Sequence, residues 1–316
     1  MESNQYATMN NISDRRMNEF QSIPVREKSI GLNSNGGPGN LPLSPQKIHK
    51  GHPKVWISLL IIVAIYFLAP LRTNILILGT DYLPHRNTLS RTDTNILVTI
   101  IPLKPYVGML SIPRDLWVTI PNVGENRINT AYFFAEATQT GTGPAASIET
   151  IRNNFGITIK YYLVIKMEGV VKIIEALGGV EVDLPAAMGG LPIGTNILDG
   201  TQALAFMRER YSSDDFSRMD QGQILIKALI KKILSPSGWI RLPLVAFETL
   251  RAIDTNIPWW LVPRLVFAIL RSGTKGIDNR IISREMVNPF LTSDGAQVLA
   301  PNWKAINPVL LEIFGE

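Results

Sequence analysis

Residues 55–71 read VWISLLIIVAIYFLAPL, seventeen residues without one charge. A segment this apolar must be buried in a core or in lipid, and no other stretch limits the chain so strongly. At about 1.5 Å per residue it spans roughly 26 Å, the short end of what crosses a hydrocarbon core of about 30 Å. A buried core helix is the alternative, and the flanks argue against it: Lys47, Lys50 and Lys54 precede the segment and only Arg72 follows closely. The positive-inside rule then keeps residues 1–54 in the cytoplasm and the rest outside the cell, as a single-pass membrane protein. A cleaved signal peptide fits less well, because the leader is long and no A-x-A site follows.

The regions on either side differ in kind. Residues 1–54 are rich in Asn, Ser, Gly and Pro, as in GLNSNGGPGNLPLSP, with no apolar period, and are expected to be disordered. They carry seven Lys/Arg against four Asp/Glu. The remainder has 24 against 22, so most of the net charge of +5 belongs to the arm. So balanced an exposed region excludes the broad basic face of a nucleic-acid binder. Cysteine is absent and there are only three histidines, two of them before Val55, which leaves little for a zinc site. No G-x-S-x-G, Walker A or G-x-G-x-x-G fingerprint occurs.

Alternation and β-branched content predict strands at 74–79, 94–100, 107–112, 161–167 and 180–184. Helical patterns fall at 144–155, at 168–177 before a Gly178-Gly179 stop, and at 199–207 behind an Asp199/Gln202 capping box. A second box, Ser217/Asp220, precedes QILIKALIKKIL. This order predicts an α/β (α+β) layered domain over 72–235, with a central mixed β-sheet flanked by helices and preceded by one transmembrane helix. With the first strand starting near Asn74, hardly any linker separates membrane from domain. Residues 236–316 form a C-terminal extension. Within it, PWWLVPRLVFAILR (258–271) reads as a packed helix or as an interfacial segment with Trp259 and Trp260 at headgroup level. RIISREMV and a helix near 302–313 read as a small appended element.

Charged residues gather where strands end or helices begin: Asp81; Arg91 with Asp93; Arg114 with Asp115; Arg208, Arg210, Asp214, Asp215 and Arg218; and Arg127 in NRINTAY. Each alone is ordinary turn or surface chemistry. Together, arginine forks and hard carboxylate oxygens match a diphosphate bound through a divalent cation.

At these residues a family resemblance becomes specific. NILILGTD, RTDTNILVTI, SIPRDLWVTIP, RINTAY, EALGGVEVDLP, LDGTQALAFMRER and DDFSR occur in the order of the LytR-CpsA-Psr family, over roughly 74–234. The resemblance implies an extracytoplasmic phosphotransferase that moves a glycopolymer from a polyprenyl-diphosphate carrier to a muramyl hydroxyl of peptidoglycan. It implies Mg²⁺ as cofactor, held by Asp81 and Asp93. It implies diphosphate binding by Arg91, Arg114, Arg208, Arg210 and Arg218, with Arg127 in place of a basic residue before Ile-Asn. Asp215 matches an acid that orients or deprotonates the acceptor hydroxyl. Asp93, Arg114 and Asp215 are thus the expected catalytic set. One departure stands out: where the family continues x-x-Arg-Gln after the helix-opening arginine, Arg218 is followed by Met219-Asp220-Gln221-Gly222. A non-catalytic carrier of prenyl-diphosphate lipid and a diphosphate hydrolase are the alternatives. A transcriptional attenuator lacks support, since residues 1–54 carry no helix-turn-helix pattern.

Overall fold

The computed structural model describes residues 53–80, 90–209, 215–273 and 275–315. The arm up to His52 therefore lies outside the described residues. Helix α1 (Pro53–Leu68) stops three residues before the expected end of the apolar segment. Pro70 has no N–H to donate and biases Ala69 away from helical backbone, which explains the stop. Among the described residues no helix is long and apolar enough to cross a membrane.

The chain then alternates between strands and helices. Strands β1 (Thr73–Thr80), β2 (Thr92–Ile101) and β3 (Tyr106–Ile112) are followed by the hairpin β4 (Trp117–Ile120) and β5 (Gly124–Arg127). Helices α2 (Thr130–Thr138) and α3 (Gly143–Phe155), strand β6 (Tyr161–Lys166) and helix α4 (Met167–Leu177) come next. A second hairpin, β7 (Val180–Leu184) and β8 (Gly194–Leu198), leads to α5 (Gly200–Arg208), α6 (Asp215–Leu234) and α7 (Pro236–Ala252). Last are β9 (Ile253–Thr255), α8 (Val262–Ser272), β10 (Ile277–Ile281), β11 (Val287–Leu291), β12 (Gln297–Pro301) and α9 (Trp303–Phe314).

Six strands form the central sheet in the order β10-β3-β2-β1-β6-β9. β1 runs antiparallel to β2 and parallel to β6, and β10 runs parallel to β3, so the sheet is mixed. Both of its faces are covered. Leu76, Leu78, Leu97, Leu110 and Ile112 face one core with α3 and α9, while Ile75, Ile96, Val98, Val107 and Met109 face another under α8. Burial on both sides makes these strands nearly continuous apolar runs, so of the two expected signals the β-branched content marks them and alternation does not. A third core joins α4, α5, α6 and α7 to the β7–β8 hairpin.

Local signals explain several boundaries. The Gly178 and Gly179 N–H groups donate to the carbonyls of Glu175 and Ile174, closing α4 with a left-handed Gly178 at φ 74°. Asp199 and Gln202 exchange both bonds of the expected capping box, at 2.7 and 3.0 Å. The second box does not form, because α6 already starts at Asp215 and Ser217 lies inside its first turn.

The residues after 236 are built into the sheet rather than appended. β9 and β10 are its two edge strands, and Ile306, Leu310, Ile313 and Phe314 of α9 are buried in the first core. The β10 sequence IDNRI is mostly polar and half-buried, as an edge strand allows, which is why no apolar run marks it.

Candidate functional site

The site lies where β2 starts and β3 ends. These strands are antiparallel neighbours with Asn95 opposite Ile112. Carrying that register two residues further sets Asp93 opposite Arg114, and Arg114 Nη1 donates to Asp93 Oδ1 at 2.9 Å. Arg114 Nε also stands 3.4 Å from Asp115 Oδ2, and Arg127 Nε 3.2 Å from Asp115 Oδ1. Asp115 is thus the hinge of a row running Asp93, Arg114, Asp115, Arg127. Arg127 is tied further by Nη2 donating to the Gln297 carbonyl at 2.9 Å. The sequence marked Asp115 only as a neighbour of Arg114; its bridging role depends on the β4–β5 hairpin returning Arg127 beside it.

A cleft opens beside this row. Asp93, Arg114, Arg208 and Arg218 carry its charge, with Arg208 ending α5 and Arg218 in the first turn of α6. Thr94, Asn95 and Ser111 also line it, and its apolar wall is Ile96, Ile112, Met167, Met207 and Met219. Three arginines against one aspartate leave a net positive charge, and the N-terminus of α6 adds a dipole of the same sign. The Asp93–Arg114 side chains are 38% and 29% exposed. Such a pair contributes about 0–1 kcal/mol to folding, so stability alone does not account for gathering these arginines here. A ligand that is anionic at one end and apolar at the other matches the lining. The methionines had no signal in the sequence, since they come from α4, α5 and α6 and meet only in the folded chain.

The remaining candidates divide. Arg91 is exposed with its guanidinium over the Phe133 ring, 5.5 Å from the centroid, and neither it nor Arg127 lines the cleft. Asp215 is the first residue of α6. Asp81, Arg210 and Asp214 lie outside the described residues. Of the two departures after Arg218, Gly222 is on the cleft wall, where an added Cβ would meet no described residue within 4 Å. Gln221 is fully buried away from the cleft, beside Gly189 and Phe206, and neither amide atom has a hydrogen-bond partner among the described residues. Just before them in the chain, burial pushes the Asp220 carboxyl above the usual carboxylate range.

Among the described residues no group of three or more His, Asp or Glu could hold a metal ion. Mg²⁺ does not need such a group, because it commonly takes one or two carboxylates and completes its shell with substrate phosphate and water. Asp93 suits that role: its Oδ1 is engaged by Arg114, and Oδ2 has no protein partner among the described residues.

A model of the LytR_cpsA_psr family matches residues 69–309. The polyisoprenyl-teichoic acid–peptidoglycan teichoic acid transferase TagU of Oceanobacillus iheyensis is 35% identical over 248 residues, covering 77% of this chain and 75% of that protein. Among solved structures, TagV of B. subtilis aligns with a TM-score of 0.61 at 26% identity, over 78% of this chain and 98% of the other. TagT bound to LIIa-WTA aligns with a TM-score of 0.62 at 21% identity, over 78% and 91%, a likeness of fold. The family match extends beyond the motifs at 74–234, through β10 and into α9. The chain belongs to the LytR-CpsA-Psr family.

Proposed function

We propose that the protein is a transferase that moves a glycopolymer phosphate from a polyprenyl-diphosphate carrier to a hydroxyl of a wall glycan, most simply a muramyl hydroxyl of peptidoglycan. The observation that carries this reading is the cleft itself, with arginines and Asp93 at the strand ends running into an apolar wall of Ile96, Ile112 and three methionines. A diphosphate on an apolar chain has that same division. The name of the Oceanobacillus relative supports teichoic acid as the class of polymer.

In the proposed reaction the acceptor oxygen attacks the glycan-linked phosphorus. A phosphodiester forms, the P–O bond to the second phosphate breaks, and polyprenyl phosphate leaves with the electron pair. The residues of the chain position the diphosphate and neutralise its charge. Arg114, Arg208 and Arg218 would hold the phosphate oxygens, and Arg91, Arg127 and Arg210 would extend the same anion site. Arg127 holds Asp115, which fixes the guanidinium of Arg114 toward Asp93. Asp215 would take the proton of the attacking hydroxyl. Asp93 and Asp81 would hold Mg²⁺, which when bound supplies charge neutralisation across the two phosphates.

The apolar segment that forms α1 is proposed to anchor the chain in the cell membrane, with residues 1–54 cytoplasmic and the site outside. Trp56, Leu60 and Ile62 are 67%, 70% and 62% exposed, an unfavourable surface in water and a normal one in lipid. A carrier without turnover is favoured by one feature, Gly222, which leaves open space where the family places glutamine.

The test is glycan transfer from a defined polyprenyl-diphosphate donor to peptidoglycan fragments, with and without Mg²⁺, in wild type and Asp93→Asn. Transfer that needs the metal and is lost in the variant supports the assignment. Tight donor binding without transfer would instead establish a carrier, and glycan phosphate released without acceptor a hydrolase.

A further inference from the structure

We propose that the outer face of α8, with Trp259 and Trp260 before it, lies in the membrane–water interface and sets the tilt of the catalytic domain. The proposal rests on the membrane placement of α1 argued above. From Asn256 to Leu270 the chain carries a single charge, Arg264. The fold removes that charge from the surface: Arg264 is 6% exposed, and its Nη2 donates to the carbonyls of Ala69 at 2.8 Å and Leu71 at 3.2 Å. Those carbonyls follow α1, so Arg264 fastens the exit of α1 to α8. Phe67 meets Phe267 edge-on at 5.0 Å, and the Tyr66 hydroxyl donates to the Trp260 carbonyl, completing the junction.

The inner face of this segment, Leu261, Leu265 and Ala268, is buried under the sheet. Its outer face is apolar as well. Val262, Val266 and Leu270 recur every fourth residue as one exposed stripe, and Trp259 is 83% exposed at its head. A surface helix in water turns polar residues outward, and here none interrupts the stripe. The occupant is identified by continuity. α1 presents apolar side chains over its exposed surface and is joined to α8, so one apolar medium covers both. Tryptophans at the head of the stripe fit the headgroup level. Arg271 ends it, with Nη1 on the Pro102 carbonyl at 3.1 Å and exposed Lys104 two residues away, a basic rim for anionic headgroups.

The consequence concerns the cleft. β1 starts at Thr73, just past the exit of α1, and ends at Thr80 beside the site. At about 3.3 Å per residue these ends are roughly 23 Å apart, so a sheet standing upright would hold the cleft that far above the bilayer. With the α8 stripe in the interface, the sheet lies along the membrane and the cleft stays near the headgroups where a lipid diphosphate resides. Ile96 makes the connection direct, since it belongs both to the cleft wall and to the core beneath α8.

The chain has no cysteine, so single labels can be placed at will. The full-length protein would be reconstituted in phosphatidylcholine–phosphatidylglycerol vesicles carrying brominated lipids, with an environment-sensitive fluorophore on Val266→Cys, Leu270→Cys, Val63→Cys or Thr140→Cys. Val63 is in α1, and Thr140 is exposed in the loop between α2 and α3, on the opposite side of the sheet. Quenching at positions 266 and 270 several-fold above that at 140, strongest with bromines near the headgroup, is the expected result. Quenching at 63 alone would leave the anchor standing and overturn the docking of α8. If position 63 were quenched no more than 140, the membrane reading would fail and this proposal with it.

Discussion

Replacing Arg114 by alanine separates a binding role from a folding role. Two of the side chain's charge contacts are 2.9 Å to Asp93 and 3.4 Å to Asp115. Asp93 is exposed enough to be rehydrated once the arginine is gone, and Asp115 keeps Arg127 at 3.2 Å, so neither of these two carboxylates is left buried and unpaired. The stability loss should then be about 1–2 kcal/mol, since exposed pairs contribute about 0–1 kcal/mol and the partly buried contact somewhat more. For a domain of this size that lowers Tm by roughly 2–8 °C. Removing a preorganised donor from a developing phosphate charge costs far more in rate, about 10²- to 10³-fold, or about 2.7–4 kcal/mol. Thermal unfolding and glycan transfer measured on the same full-length preparation give both numbers. Arg114→Lys should recover most of the stability and little of the rate, because lysine restores the charge without the planar fork. Transfer at the wild-type rate by Arg114→Ala, or unfolding of the variant with a loss above about 4 kcal/mol, would refute this assignment.

Three further outcomes test the fold around the cleft. Gln221→Met should raise stability by about 1–3 kcal/mol, because both buried amide atoms of Gln221 lack partners among the described residues and methionine fills a similar volume; denaturant unfolding measures it. Burial raises the Asp220 carboxyl, so the folded state holds that proton more tightly than the unfolded chain does. Stability should therefore fall as pH rises from the ordinary carboxylate pKa, about 3.9, through the raised folded value. Asp220→Asn should remove that part of the unfolding–pH profile, and an unchanged profile would exclude the effect. Ile306→Ala, at a fully buried position in α9, should cost about 2–5 kcal/mol, whereas a loss near zero would mean that α9 is peripheral to the first core.

Much of the central fold was legible because its signals are local. β1, β2, β3 and β6 carry apolar, β-branched runs, and α4 and α5 are bounded by a glycine stop and a capping box within a few residues. Asp93 and Arg114 stood out as charges at strand ends. β7 likewise falls on the expected strand at 180–184, but its partner β8, the β4–β5 hairpin, α2, α7 and the edge strand β10 were not found. The strands, α2 and β10 are short, polar or half-buried and take their form from partners distant in sequence, while α7 carries Pro243 in its interior, which reads as a break.

By itself the sequence determined the uncharged segment before the domain, the alternation of strands and helices, and the family, whose motifs survive as contiguous words such as RTDTNILVTI and SIPRD. Tertiary structure alone decided which charges meet. Asp93 and Arg114 are joined by the β2–β3 register, and Arg127 reaches Asp115 through the β4–β5 hairpin. The methionines of α4, α5 and α6 converge on one wall, while Gln221 turns into the core and Gly222 faces the cleft. The physical reason is that local backbone preferences act over a few residues. A binding site depends on distances between residues far apart in the chain, and packing sets those distances.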